Sequence, residues 1–95
     1  MEVIHKLIYT VDMFDREEEI KWKGYYSDVT VVLPNSSKYK VSFYDPGRLR
    51  QEVESENYIA EPGLIIIKEV TKTNMEKAVY ESWLDGFFES LIPID

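Results

Sequence analysis

Carboxylates are the most abundant side chains in this sequence that could do chemistry. They form an acidic run at residues 15–19 and a spaced group at Glu52, Glu54, Glu56 and Glu61. Paired carboxylates can catalyse glycoside hydrolysis or hold Ca²⁺ or Mg²⁺. Neither group has the alternating Asp, Asn and Gly positions of a calcium loop. We therefore interpret them as solvated turns or helix faces, and we expect no metal, no cofactor and no catalytic residue.

Histidine and cysteine chemistry is almost absent from the chain. His5 is the only histidine and there is no cysteine, which excludes a histidine metal site, a Ser-His-Asp triad and a cysteine nucleophile within one chain. We expect His5 to be peripheral. A small cysteine-free chain is typical of a reducing cytoplasm, and Glu2, Lys6 and Asp12 interrupt the N-terminal segment too often for a signal or membrane span. These features predict a cytoplasmic protein without enzymatic activity.

Aromatic residues near the middle of the chain form a different kind of candidate site. The candidate partner-binding residues are Tyr25, Tyr26, Asp28, Tyr44, Asp45 and Arg48. Tyrosine and arginine commonly anchor protein interfaces. Alternatively the aromatics fill the core, which we favour for the neighbouring Trp22 and leave open for the three tyrosines. Asp28, at the head of a strand, can equally be a local turn cap.

The net charge narrows the class of partner. A value of −7 over 95 residues disfavours nucleic acid and anionic membranes, because like charges would meet and no counterions would be released. A basic protein partner fits this charge, although acidity can also serve solubility alone. A homodimer is possible as well.

The elements that must position these residues indicate one α+β domain over residues 1–95, burying about 65% of its unfolded surface. We predict an antiparallel sheet built on a central hairpin at about residues 28–44, a further strand at 64–70 and a C-terminal helix at 74–85 packed on one face. The hairpin has in-phase alternation across a four-residue turn at 34–37, with a core face that comprises Val29, Val31, Leu33, Tyr39, Val41 and Phe43.

The N-terminal third has conflicting patterns. Residues 2–14 carry a helical apolar stripe but a strand-like composition, and we lean narrowly to a strand. Residues 15–19 then form a hairpin turn into a short strand at 20–23. Gly24 would mark a bend or bulge before the central hairpin.

Helix signals surround the remaining elements. Asp45 and Pro46 predict an N-cap and first helical residue, which we favour over a type II turn at Pro46-Gly47. Thr73 and Glu76 match a capping box for the C-terminal helix, and Gly86 is placed to end it. The apolar stripe of this helix comprises Met75, Ala78, Val79 and Trp83.

Two apolar segments complete the predicted core. The run at residues 64–67 predicts a strand covered on both faces, with Ile66 and Trp83 buried. Beyond Gly86, the aromatic pair Phe87-Phe88 and the following Leu91 and Ile92 must pack on the core or meet a partner.

Several of these strings, SDVTVVLP, KVSFYDPGRL, EPGLIII and VTKTNMEKAV, are similar to small bacterial proteins of uncharacterised type over about residues 25–91. The resemblance implies a bacterial cytosolic domain and transfers no catalytic residue.

Three classes of function follow from these observations. We rank first a protein-binding module, of the immunity or antitoxin kind, that occupies a basic partner. A homo-oligomeric accessory protein comes second, and an enzyme with an unusual carboxylate site comes third.

Overall fold

The computed structural model describes residues 6–8 and 13–94, with the side chains of residues 17–27 and 29–94. The predicted His5 environment and most of the N-terminal segment therefore lie outside the described residues. The elements in chain order are β1 (Lys6–Ile8), α1 (Met13–Lys23), β2 (Tyr25–Val32), β3 (Lys38–Tyr44), α2 (Pro46–Glu56), β4 (Leu64–Ile66), α3 (Lys72–Leu84) and a 3₁₀ helix (Phe87–Ser90). This is the predicted α+β class.

The central hairpin is confirmed. β2 pairs antiparallel with β3, with Val29 opposite Val41 and Val31 opposite Tyr39. All six residues predicted for its core face are buried. The turn closes through two backbone bonds, from the N–H of Ser36 to the carbonyl of Leu33 (2.9 Å) and from the N–H of Leu33 to the carbonyl of Ser37 (2.9 Å).

The hairpin occupies the middle of a four-stranded sheet in the order β1-β2-β3-β4. β1 pairs antiparallel with β2, whereas β4 joins β3 in parallel. The predicted strand at 64–70 therefore exists but is shorter and lies at the sheet edge. Gly63 allows this close approach. Its φ of +80° favours glycine, and a Cβ atom at this position would overlap the Lys40 carbonyl oxygen.

The prediction that this strand is covered on both faces is wrong. Ile65 and Ile67 pack against the core, but Ile66 lies opposite Tyr44 on the other face and is 43% exposed. An edge strand has its second face covered only where a neighbouring element reaches it. The expected burial of Ile66 is therefore corrected, while Trp83 is half-buried against the core.

One face of the sheet carries the core. α3 contributes the fully buried Met75 and Val79, as its stripe predicted, and the 3₁₀ helix places Phe88 beside Tyr39 with ring centroids 5.2 Å apart. The Phe87-Phe88 segment thus packs back on the domain instead of forming a free apolar tail. α3, at 13 residues, is the longest helix described, and no helix in the described part of the chain has the length and apolarity to cross a membrane.

The N-terminal prediction of a hairpin is wrong. Residues 15–23, expected to form a turn and a strand, belong to α1. Ile20 buries against the core, and a Glu17 carboxylate oxygen accepts a hydrogen bond from the backbone N–H of Lys72 (2.6 Å). Trp22, which we expected in the core, is 85% exposed. A helix turns successive residues through about 100°, so burying Ile20 directs Trp22 elsewhere.

The two predicted helix starts have different outcomes. Asp45 caps α2 with Pro46 in the first turn, which confirms the favoured alternative and rejects the type II turn. α3 begins two residues earlier than the capping box suggested, because the hydroxyl of Thr71, rather than that of Thr73, accepts a hydrogen bond from the N–H of Asn74 (3.2 Å). Gly86, with φ of +84°, directly follows the C-cap Asp85 of α3.

Replacing Met75 with alanine is expected to lower the free energy of unfolding by about 2 to 5 kcal/mol, because truncation of a fully buried side chain leaves a cavity. Ile66→Ala is the control, since 43% of Ile66 is exposed, and it should cost less than about 1 kcal/mol. Urea denaturation followed by tryptophan fluorescence measures both. Equal losses would contradict the assignment of the core to one face of the sheet.

Candidate functional site

A β-bulge decides which tyrosines are accessible. The pairing shifts between Tyr26 and Val29: Tyr26 lies opposite Phe43, but Val29 lies opposite Val41. β2 thus uses one residue more than β3 over this interval, and the extra residue inverts the alternation of faces. Tyr26 enters the core at 7% exposure, and Tyr25 turns to the opposite face of the sheet.

Tyr25 and Tyr44 form an aromatic pair on this outer face. They are cross-strand neighbours whose rings stack with centroids 5.7 Å apart and planes inclined by 28°. The guanidinium carbon of Arg48 lies 4.5 Å from the centre of the Tyr25 ring, within the range of a cation–π contact. Both tyrosines are half-buried, so part of each ring can meet a ligand.

Arg48 connects the aromatic pair to α2. Its Nε and Nη2 atoms each lie 3.1 Å from Oε2 of Glu52, one helical turn further on. Both side chains are about 30% exposed, which removes part of the solvent screening that weakens surface ion pairs. The contact holds the guanidinium group over the ring and leaves the more distant α2 carboxylates without this partner.

The junction of α1, β2 and α2 positions Arg48. An Asp45 carboxylate oxygen accepts a hydrogen bond from the backbone N–H of Arg48 (2.7 Å), while the N–H of Asp45 donates to the carbonyl of Gly24 (2.8 Å). Gly24 has φ of +78°, and a Cβ atom there would lie 2.8 Å from both Asp45 carboxylate oxygens. Gly24 therefore ends α1 and forms the bend before β2, which is one of the two alternatives expected from the sequence; the β-bulge lies further along β2.

Three carboxylates near the C-terminal end of α2 form what we call the acidic tip: Glu52, Glu56 and Glu61. They line a cleft of about 270 Å³ together with Tyr44 and Tyr58. Tyr58 is 71% exposed. The last turn of α2 contains no basic residue, although the free carbonyls there favour cations.

Burial and the neighbouring carboxylates both affect the pKa of Tyr44. The pKa of its phenol is raised above the ordinary 10.0, first by burial and then by the negative charges of Glu61 and Glu52, while Arg48 opposes the shift. At physiological pH Tyr44 is a neutral hydrogen-bond donor, as an unshifted tyrosine also is. A neutral aromatic ring bordered by carboxylates suits a cationic ligand group.

The structure brings together four of the six candidate residues: Tyr25, Tyr44, Asp45 and Arg48. Asp45 acts as a helix cap, so its carboxylate is engaged within the fold. Tyr26 belongs to the core and is left out of the accessible surface. The side chain of Asp28 lies outside the described residues.

Sequence reasoning missed the part of the site formed by the acidic tip and Tyr58. These carboxylates were assigned to solvated faces because charge runs usually are. The available signal was the order of charges along α2, where two arginines in the first half precede three glutamates in the second. That order opposes the helix dipole and so indicates a use other than helix stability.

The described residues contain no cluster of three or more side chains able to hold a metal ion. Comparison of the chain with protein-family models, with curated proteins and with solved structures finds no match.

Replacing Gly24 with alanine is expected to destabilise the protein by roughly 1 to 2 kcal/mol, the cost of a left-handed conformation for a residue with a Cβ. Gly47→Ala is the matched control, because a Cβ there meets only ordinary contact at 3.6 Å. It should be neutral or add up to about 1 kcal/mol. Urea unfolding of both variants gives the comparison, and a neutral Gly24→Ala would show that the junction is not constrained.

Removing the charge of Glu61 should lower the pKa of Tyr44 toward 10.0, because one of the two carboxylates that raise it is lost. A ¹³C NMR titration of the tyrosine Cζ carbons measures this in Glu61→Gln, with Glu89→Gln as control. The folded pKa exceeds the unfolded one, so the associated stability is present below pH 10 and is lost as pH rises through the folded pKa. An unchanged titration in Glu61→Gln would contradict the proximity.

Proposed function

We propose that this protein is a non-enzymatic cytoplasmic binding module that occupies a basic surface of another protein, as immunity and antitoxin proteins do. The observation that carries the proposal is the acidic tip beside the aromatic pair. Its carboxylates supply long-range attraction, and Tyr25 and Tyr44 supply contact area at the same place.

The position of the acidic tip supports a role in binding. Negative charge at a helix C-terminus typically costs about 0.3 to 1 kcal/mol per group, and α2 buries none of its side chains. The exposed hydrogen bond that Glu56 accepts from the Ser55 hydroxyl (3.3 Å) adds little to the stability of the fold. A partner with lysine or arginine side chains at this surface would turn the same charges into favourable contacts.

The aromatic pair supplies the short-range affinity that charge alone does not provide. Exposed ion pairs contribute little lasting affinity because water and salt screen them. Tyrosines held by stacking, and here by the Arg48 contact, offer rigid apolar area at small entropic cost. Charge should therefore set the association rate and the tyrosines the dissociation rate.

A homo-oligomer is less well supported at this surface. Two copies that met through their acidic tips would place carboxylates opposite carboxylates, which is unfavourable without an intervening cation. Each chain already carries a net charge of −7.

Selection of a displayed library of random dodecapeptides against the purified protein tests the proposal. The selected peptides should be enriched in lysine and arginine, and their association should slow severalfold between low and physiological salt. Tyr44→Ala should mainly raise the dissociation rate. Peptides without basic enrichment would overturn the proposal.

A pair of charge-matched variants separates the acidic tip from overall acidity. Glu56→Gln/Glu61→Gln, at two residues that line the acidic cleft, should weaken binding of a selected basic peptide roughly fivefold, and loss of the Glu56 charge at the C-terminus of α2 should stabilise the fold by roughly a few tenths of a kcal/mol. Glu81→Gln/Glu89→Gln changes the net charge equally but acts at exposed positions elsewhere. If both pairs weaken binding alike, the net charge rather than this surface attracts the peptide.

A further inference from the structure

A second cleft adjoins the acidic tip. It has a volume of about 450 Å³, its polar groups include the charged side chains of Lys40 and Glu61, and its apolar lining includes Pro62, Leu91, Ile92 and Ile94. This size lies within the range of small-ligand and side-chain pockets. We call it the apolar cleft.

The walls of the apolar cleft are held by the fold. The N–H of Ile94 donates to the Lys38 carbonyl (2.7 Å), which ties the C-terminal segment to the edge of β3. Leu91 packs against the core, and its N–H donates to the carbonyl of the buried Phe88 (3.2 Å). A cleft with anchored walls loses little entropy when a ligand enters.

Ile92 is the apolar residue of this cleft that the fold leaves most open. It is 90% exposed, and Ile94 is 40% exposed. A single exposed isoleucine is ordinary on a protein surface. Two that line one cleft beside Pro62 make a local apolar surface whose burial against a partner would be favourable.

The apolar cleft is continuous with the proposed binding surface. Glu61 lines both this cleft and the acidic one. Ser42, which lines the apolar cleft, and Tyr44, which lines the acidic one, are two residues apart on β3 and so about 7 Å apart on the same face of the strand. One short segment of a partner can therefore reach both clefts.

We propose that the apolar cleft receives a large apolar side chain of the same basic partner, next to the lysine or arginine that meets the acidic tip. This inference rests on the proposed function and adds the second half of the partner's recognition element. The partner would present a basic residue and a large aliphatic or aromatic residue within one short segment. Interfaces commonly combine a buried apolar anchor with charged contacts at its rim.

The test repeats the dodecapeptide selection on the wild-type protein and on Ile92→Ser. Wild type should select peptides with basic residues and one recurrent large apolar position. Ile92→Ser should keep the basic preference, lose the apolar one and bind a wild-type-selected peptide about tenfold more weakly with an unchanged salt dependence. The exposure of Ile92 means that this variant should fold normally. Leu84→Ser, at another exposed apolar residue, is the matched control. It should change neither the apolar preference of the selected peptides nor the affinity for a wild-type-selected peptide.

Methyl NMR provides a second readout that does not depend on affinity. Addition of the selected peptide should shift the Ile92 and Ile94 methyl resonances and leave those of the buried Ile20 in place. Absence of shifts at Ile92 and Ile94 would overturn the inference.

The outcomes of selection distinguish the two proposals. Basic peptides with no apolar position, or an apolar preference that survives Ile92→Ser, would overturn the proposal that the apolar cleft binds a partner side chain. The proposed function would still stand. Apolar peptides without basic residues would overturn the proposed function and the basic character of the partner, but not the cleft. Failure to enrich any sequence would overturn both.

Discussion

Antiparallel pairing of β2 with β3 is the interaction on which the other elements depend, because its core-face side chains form the surface that α3 and the 3₁₀ helix cover. Fully burying one such side chain contributes about 1.5 to 3 kcal/mol. The register also carries one extra residue in β2, and this bulge assigns Tyr26 to the core and Tyr25 to the outer face. The same pairing therefore builds the core and exposes the aromatic pair.

The end of the hairpin at which β3 stops is where stability and binding meet. Asp45 ends the strand, caps α2 and sets Arg48 over Tyr25, and the Gly24 carbonyl accepts the N–H of Asp45. Beyond Glu52, the Glu56 carboxylate lines the cleft beside Tyr44, and its hydrogen bond from the Ser55 hydroxyl (3.3 Å) is exposed to solvent. A rigid junction at Asp45 and Arg48 therefore lies beside carboxylates that are exposed to solvent, and this combination is expected of a preformed binding surface.

The two clefts divide recognition between two kinds of force. The acidic cleft offers charge and a neutral phenol, and the apolar cleft offers burial of isoleucine and proline surface. Charge acts over several ångströms but is weakened by salt, whereas apolar burial acts only on contact and is not. Because Glu61 belongs to both clefts, a partner that satisfies one is already positioned for the other.

The sequence by itself determined the elements whose signals are local. Four features arise from neighbouring residues and were predicted correctly. They are the in-phase apolar alternation of the hairpin, the helix start at Asp45-Pro46, the apolar stripe of α3 and the terminating Gly86. Sequence patterns failed where a distant contact selects between local alternatives: Ile20 packs and Trp22 does not, Thr71 rather than Thr73 caps α3, and β4 lies at an edge.

The candidate site depended most on tertiary structure. Strict alternation back from Val29 would have buried Tyr25 and exposed Tyr26, and only the pairing with β3 inserts the extra residue that reverses them. Clustering of the acidic tip against Tyr44 likewise required α2 to fold back beside the strand end. The sequence specifies the type of each side chain, but pairing with the neighbouring strand decides the face of the sheet on which it lies.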